Sequence, residues 1–161
     1  MPLPLVARHV LAAQDSRELV YKDYNSKFLE YQSRGSRFDA KSYMELVASV
    51  TVHFSVISRV IITALKELER RRGAVGGAGG LGGIVTGVKS LQAHEAERLQ
   101  LTASLHLSTV RLLEALDSPD ETQTRELLGE EVRSMQVKLA ALVEAVEEDK
   151  EEVREGTLEE D

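Results

Sequence analysis

The fold is decided by residues 43–68, which read YMELVASVTVHFSVISRVIITALKEL. Apolar side chains recur there in alternating steps of three and four residues, and they are Tyr43, Val47, Val50, Phe54, Ile57, Ile61, Leu65 and Leu68. This spacing is typical of an α-helix that packs along one stripe. The β-branched residues between 50 and 62 would also suit a strand, but the spacing favours a helix over residues 40–72.

Three further segments show the same periodicity. They predict helices over residues 5–34, 84–116 and 119–154. Short connections between the first and second helices, and between the third and fourth, favour antiparallel hairpins. We therefore predict an all-α protein made of long antiparallel helical hairpins with coiled-coil-like packing. The hairpins could close into a four-helix bundle or stay extended against a partner.

Local signals place the helix ends. Pro4 suits a first helical turn, Gly35 suits the end of the first helix, and Asp39 suits the N-cap of the second. Ser118, Pro119 and Glu121 together form a capping-box pattern at the start of the fourth helix. Within the first segment, Asp15 and Ser16 could instead cap a second, shorter helix.

Residues 73–83 hold seven glycines in eleven positions. Each glycine costs a helix about 1 kcal/mol relative to alanine, so we predict a flexible loop there. Gly77, Gly79 and Gly82 formally spell a dinucleotide-binding motif, but that motif requires a strand before it and a charged helix end precedes it here. We interpret the match as accidental. The predicted organisation is one helical domain over residues 1–155, followed by a frayed acidic tail over residues 156–161.

Composition bounds the class of protein. The 161 residues include no cysteine and no tryptophan, and aromatic residues make up 4%. A disulfide framework, a thiolate nucleophile and a cysteine-based zinc site are thereby excluded. Residues 1–13 lack the pattern of a secretion signal, and no segment approaches eighteen uninterrupted apolar residues. We expect a protein that is neither secreted nor inserted in a membrane.

Charge is unevenly distributed along the chain. Residues 144–161 hold ten acidic and two basic residues, a net charge of −8, while the whole chain carries −7 and residues 1–143 therefore carry +1. Nucleic-acid binding normally needs a basic stripe, which this balance does not supply. The one basic cluster, Arg70, Arg71 and Arg72 with Lys66, could touch phosphate or an acidic partner. We favour the alternative, that these cations offset a helix dipole.

Catalytic patterns are missing from the sequence. The four histidines, His9, His53, His94 and His106, form no metal-binding pair on a helix, although His94 and Glu97 could pair one turn apart. The pair Lys89-Ser90 lacks the glycine that a phosphate-binding loop needs before its lysine. We expect a non-enzymatic protein with no cofactor and no metal.

Polar residues interrupt the apolar stripes at Arg17, Glu95, Thr102 and Thr109. Buried charge is costly unless it is paired, and an Arg17–Glu95 ion pair would be one solution if the two helices run side by side. Polar residues at such positions also fix the register of packed helices.

The chain resembles the required-for-excision B-type domain, a DNA-repair family. The resemblance rests on Tyr24, Phe28, Tyr31, Gly35, Arg37, Phe38, Asp39, Tyr43, Val47, Val50, Thr51, Phe54, Ile57 and Ser58, and on Val88, Lys89, Ser90, Leu91, Gln92, Glu95, Arg98, Leu99 and Thr102. It extends roughly from Val6 to Val153. It implies a nuclear role in excision repair of damaged DNA, with no catalytic residue to carry over.

The neutral body and acidic tail favour an adaptor that binds other proteins through apolar helix faces, alone or as a homo- or hetero-oligomer. Aromatic residues are enriched at binding hot spots, so we hypothesise a partner-binding set made of Tyr24, Phe28, Tyr31, Phe38 and Tyr43. Alternatively, these rings close the hairpin core. A second functional hypothesis is a structural coiled-coil subunit of a large cytoskeletal or ciliary assembly, which would place the protein in the cytosol or on the cytoskeleton.

Overall fold

A computed structural model describes residues 2–34, 39–75, 80–118 and 120–159. These residues form four α-helices, namely α1 (Leu3–Gln32), α2 (Ala40–Val75), α3 (Gly80–Leu116) and α4 (Thr122–Leu158). The described segments contain no β-strand, so the helical interpretation of residues 50–62 is confirmed. All eight apolar stripe residues quoted for α2 are buried or half-buried.

The helices form an up-down-up-down bundle. Each helix packs against its neighbours in the ring α1, α2, α3, α4 and back to α1, with α3 and α4 in the most extensive contact. Gln14 bonds Glu95, and Asn25 bonds His106, both 81 residues apart, so α1 and α3 run parallel. The predicted fold class, helical hairpins packed as a bundle, is confirmed.

The structure confirms one predicted cap, rejects the alternative helix start at Ser16 and corrects one other cap. Asp39 caps α2 by accepting hydrogen bonds from the backbone N–H groups of Lys41 and Ser42. Ser16 does not start a new helix, because its hydroxyl bonds within the continuous α1. The capping box before α4 is wrong: Glu121 is itself the N-cap, without a side-chain hydrogen bond. Gly35 and Pro119 lie outside the described residues.

The predicted glycine loop is too long at both ends. α2 continues through Gly73 to Val75, and α3 begins at Gly80 rather than at Ile84. Gly80 lies against Gly156 of α4, where a Cβ on Gly156 would stand 2.7 Å from the Gly80 carbonyl oxygen. Close packing of two backbones therefore outweighs the low helix propensity of glycine. Residues 76–79, which include Gly77 and Gly79, are outside the described chain.

The fourth helix extends further into the acidic tail than the sequence predicted. α4 continues past residue 155 to Leu158, and Gly156 and Thr157 are buried. Gly156 is in contact range of Ile84 on α3, and the Thr157 hydroxyl donates to the Val153 carbonyl within α4. The acidic run is therefore folded against the bundle up to this point. Residues 160 and 161 are not described.

Two apolar clusters fill the bundle. The aliphatic cluster draws on all four helices and consists of Val6, Ala7, Val10, Ile61, Leu68, Leu81, Ile84, Val85, Val88, Leu91, Val146 and Val153. The aromatic cluster draws on α1 and α2, with Leu99 and Val110 of α3 packed against it, and consists of Tyr21, Tyr24, Phe28, Tyr43, Leu46, Val50 and Phe54. Between them lies a polar layer, made of Gln14, Arg17, Glu18, Ser58, Gln92, Glu95 and Arg98.

Candidate functional site

The hypothesised partner-binding set lies at the aromatic cluster. Tyr24, Phe28 and Tyr43 are buried, and Tyr31 is half-buried against them. Phe38 lies outside the described residues. In this conformation the three buried rings belong to the core, so a partner could reach them only if the bundle opened. The binding role of the set stays a prediction, while the geometry is that of the alternative, in which the rings close the hairpin core.

His106 of α3 is the centre of that cluster. Its ring stacks on Phe28, with centroids 3.8 Å apart and planes at 11°, and meets Tyr24 edge-on. Tyr43 Oη lies 3.3 Å from Nδ1, and Asn25 Oδ1 lies 3.0 Å from Nε2. These partners assign a neutral imidazole that accepts from Tyr43 and donates to Asn25.

Burial lowers the pKa of His106 to about 4 because the charged form loses its hydration. The pattern of histidines in the sequence gives His106 no role. Its spacing from the α3 stripe residues Thr102 and Thr109 is the signal that places it on the packed face.

The polar layer brings Arg17 and Glu95 into the core, although they do not form the direct ion pair that would have been one solution. Arg17 donates to the side-chain oxygens of Gln14 and Gln92, at 2.9 and 2.8 Å, and Gln14 donates to Glu95. An amide therefore separates the two charges. Burial lowers the pKa of Arg17, and the nearby Glu95 carboxylate offsets part of that effect.

Arg98 is the cation that pairs with Glu95, at 3.1 Å. It also forms a bidentate bond to Glu18 of α1, and its guanidinium lies 3.9 Å from the Tyr21 ring centroid. Burial disfavours the charged form, but the two carboxylates outweigh burial and raise the pKa of Arg98. Apolar periodicity does not reveal this role, because Arg98 lies one helical turn from Glu95, beside the stripe and not on it.

The remaining polar stripe residues are satisfied locally. Thr102 and Thr109 each donate a hydroxyl to the carbonyl one turn earlier, Arg98 and Leu105 respectively. Such bonds let threonine occupy a buried helix face at little cost. These residues therefore have structural roles in α3.

One buried atom of the polar layer has no hydrogen-bond partner in the part of the chain that the structure describes. It is Oε2 of Glu95, beside a cavity of about 260 Å³ between α1, α2 and α3. Arg17 and Ser58 also line this cavity. Because the other charged groups bond mainly to one another, the layer is best explained as a device that fixes the register of α1 against α3.

His94 bonds a different partner from the one suggested by sequence spacing. Its Nδ1 lies 2.6 Å from a carboxylate oxygen of Asp149 on α4, so it ties α3 to α4 and does not pair with Glu97. Among the described residues, no group of three or more His, Asp or Glu side chains is placed to hold a metal ion.

α2 has an apolar face that is exposed among the described residues. Val52, Val56 and Val60 follow one another at intervals of four residues and are 63%, 56% and 47% exposed. The span Ala40–Ala74 is long and apolar enough, by length and composition alone, to cross a membrane, and 28% of its most apolar window is buried. This exposure is unusual, because a packed helix normally turns its apolar stripe inward.

The uncovered face borders a groove between α1 and α2 on the outside of the bundle, here called the outer groove. Its volume is about 490 Å³, and Val6, Val60 and Ala64 supply its apolar lining. Arg59 also lines the groove and forms no hydrogen bond or ion pair within the described residues. A surface that combines exposed apolar side chains with an unpaired cation is a candidate partner-binding surface.

Comparison with known proteins identifies the family. Searches of curated proteins and of solved structures give no match. A family model described as DNA repair REX1-B matches residues 5–109, which include nearly all of α1, all of α2 and most of α3. The sequence resemblance was expected to extend roughly to Val153, whereas the family match ends at residue 109. Because it spans well over half of the chain, the protein belongs to the DNA repair REX1-B family.

Proposed function

We propose that this protein is a non-enzymatic adaptor in the excision repair of damaged DNA, and that it acts in the nucleus by binding other proteins. The family name links the chain to DNA repair. The observation that carries the adaptor proposal is the exposed valine face of α2, formed by Val52, Val56 and Val60. Contiguous apolar surface of this kind commonly marks a protein-binding site.

The charge arrangement supports a protein partner over DNA. In the basic cluster at the end of α2, Glu67 accepts hydrogen bonds from both Arg70 and Arg71. Lys89 on the adjacent α3 bonds Glu69. DNA readers instead present cations that are free to displace counterions from phosphates. Arg70 and Arg71 are paired with Glu67, and the adjacent valine side chains offer no hydrogen-bond donor to a phosphate, so this surface fits a protein partner better than DNA.

The compact bundle also favours an adaptor over a rod-like scaffold subunit. All four helices contribute side chains to one aliphatic cluster, so the hairpins bury their stripes against each other. An extended scaffold would keep those stripes for its assembly partners. The exposed valines on the outside of α2 lie beside its groove with α1, and they remain available to a partner in this bundle.

Deletion and complementation in cells test the repair role. We expect cells that lack the protein to remove ultraviolet photoproducts more slowly, as measured by immunoassay of lesions over time, and the wild-type chain to restore the rate. A Val56→Glu/Val60→Glu double variant should fail to restore it while remaining folded. The matched variant Val137→Glu, at an exposed valine of α4, should restore it. An unchanged rate of lesion removal after deletion would overturn the proposal.

A further inference from the structure

The outer groove differs in charge from a similar groove elsewhere on the bundle. The second groove lies between α3 and α4, has a volume of about 550 Å³, and is lined in part by Leu101, Met135 and Leu142. Its two charged residues, Glu97 and Lys138, cancel. The two grooves are therefore similar in size and apolar character, so charge and the neighbouring surface must distinguish what each can bind.

The outer groove carries a net positive charge. Its lining includes Arg59, Arg71 and one acid, Glu67. The same stretch of α2, residues 59–72, holds five basic and two acidic residues, a net charge of +3. Arg59 is the strongest attractive feature, because it lies in the groove and no described side chain neutralises it.

The apolar surface continues beyond the groove along α2. Val60 belongs to the groove lining, and Val56 and Val52 extend from it one turn at a time. Residues four apart on a helix are neighbours on its surface, so the three valines form one strip about 12 Å long, at 1.5 Å per residue. A straight strip beside a concave groove matches the apolar face of a second helix.

We propose that the outer groove and the valine strip bind an amphipathic helix of a partner protein whose flanking residues are acidic. This inference rests on the proposed function as a protein-binding adaptor and specifies its partner. The apolar face of the incoming helix would lie along Val52, Val56 and Val60. Acidic residues beside that face would reach Arg59 and the basic end of α2, which would orient the helix and speed its association.

The geometry favours a helix over DNA or a lipid surface. A groove between two helices is concave, whereas a bilayer surface is flat on this scale. DNA would have to place its phosphates against Val56 and Val60, which offer no hydrogen-bond donor from their side chains. An acidic amphipathic helix satisfies both the apolar strip and the adjacent positive charge.

Fluorescence anisotropy with designed peptides tests the proposal on the full chain. The probe is a labelled peptide of about 20 residues, long enough to form helix, with leucines at helical spacing and glutamates beside them. A peptide with lysine at each glutamate position serves as the matched control, and a DNA duplex and anionic lipid vesicles serve as alternative ligands. We expect the acidic peptide to bind best, and its affinity to fall as salt concentration rises.

Variants of the groove give the decisive comparison. Arg59→Glu and Val60→Glu should each weaken binding of the acidic peptide by about 10-fold or more, and Arg59→Glu should strengthen binding of the lysine peptide. Val137→Glu adds the same charge as Val60→Glu, at an exposed valine outside the groove, so it should change affinity less than about twofold. Circular dichroism of each variant would verify that the helices remain.

Three outcomes would overturn the proposal: equal binding of the acidic and basic peptides, binding that is insensitive to Arg59→Glu and Val60→Glu, or groove-dependent binding of DNA or vesicles alone. The repair role can fail independently. If the acidic peptide binds as expected but lesion removal is normal without the protein, the groove stands and the repair proposal falls. If lesion removal needs the protein but no peptide prefers the groove, the repair proposal stands and the proposed helix-binding groove falls.

Discussion

The two ends of the bundle are packed differently. At the aliphatic end all four helices contribute buried side chains, including Val146 and Val153 of α4. At the aromatic end the described core is built from α1 and α2 with side chains of α3 against it, and no residue of α4 belongs to it. Tyr24, Phe28 and His106 there fill the space between three helices.

The difference shows what each end requires. Aromatic rings bury a large area per residue, so three helices can enclose a core without a fourth. They also bring polar atoms that must be bonded, which is why Tyr24, Tyr43, His106 and Asn25 form a connected chain of hydrogen bonds. The aliphatic end has fewer buried polar atoms that need hydrogen bonds, but it depends on close contact between α3 and α4. The aromatic cluster lies within the family match, whereas the α4 contribution lies outside it.

The largest expected effect is a loss of stability at acidic pH that arises at the aromatic end of the bundle. His106 has a pKa of about 4 in the folded protein and an ordinary value of 6.5. The unfolded chain therefore binds more protons between these values, so the stability associated with neutral His106 is complete above pH 6.5 and is lost as pH falls toward 4. The loss should be about 3 kcal/mol in the free energy of unfolding.

Urea denaturation of the wild type and of His106→Gln at pH 7 and at pH 4.5 measures this effect. The variant keeps the carboxylates that also respond to acid, so the difference between the two proteins isolates the histidine. We expect the wild type to lose most of that free energy over this range relative to the variant. Parallel losses in the two proteins would show that His106 does not make the aromatic end sensitive to acid.

A second prediction compares the two halves of α4 with one chemical change. Val153 is 0% exposed in the aliphatic cluster, whereas Val132 is 8% exposed and lies outside both clusters. Val153→Ala should lower the free energy of unfolding by about 2 kcal/mol, because it leaves a cavity among all four helices. Val132→Ala should lower the free energy of unfolding by about 1 kcal/mol, because that half of α4 is less completely enclosed by other side chains. Equal losses in thermal or urea denaturation would contradict a four-helix core confined to one end.

Periodicity was sufficient to predict the architecture and much of the core. The α2 stripe from Tyr43 to Leu68 is packed as its spacing predicted, because a run of apolar residues in steps of three and four has one face to bury. The N-cap role of Asp39 could also be predicted, because its side chain accepts hydrogen bonds from backbone N–H groups only two and three residues later. These features depend on local sequence.

Features that depend on contacts between helices were predicted less well. Arg17 and Glu95 were identified as buried, but Gln14 and Arg98, which bond to them, lie on faces that no single-helix pattern distinguishes. The outer groove was missed because Val52, Val56 and Val60 become unusual only when α2 is seen to lack a neighbour on that side.

The smallest expected effect concerns the glycines at the aliphatic end, where the sign of a change should depend on contact with α4. A Cβ on Gly80 would overlap the Gly156 carbonyl oxygen, whereas a Cβ on Gly83 would meet nothing within 4 Å. Both residues lie in α3, so alanine improves helix propensity at each position. Gly83→Ala should therefore raise the free energy of unfolding by about 0.5–1 kcal/mol.

Gly80→Ala should instead lower that free energy by about 1–2 kcal/mol, because the obstructing atom belongs to a backbone and α4 must move away. Thermal denaturation of the two variants beside the wild type measures both signs. If both alanines stabilised the protein, the backbones of α3 and α4 would not be in close contact at this end, and the helical state of the glycine-rich start of α3 would need another cause. Opposite signs would show that packing against α4, and not local propensity, extends α3 into the glycine-rich segment.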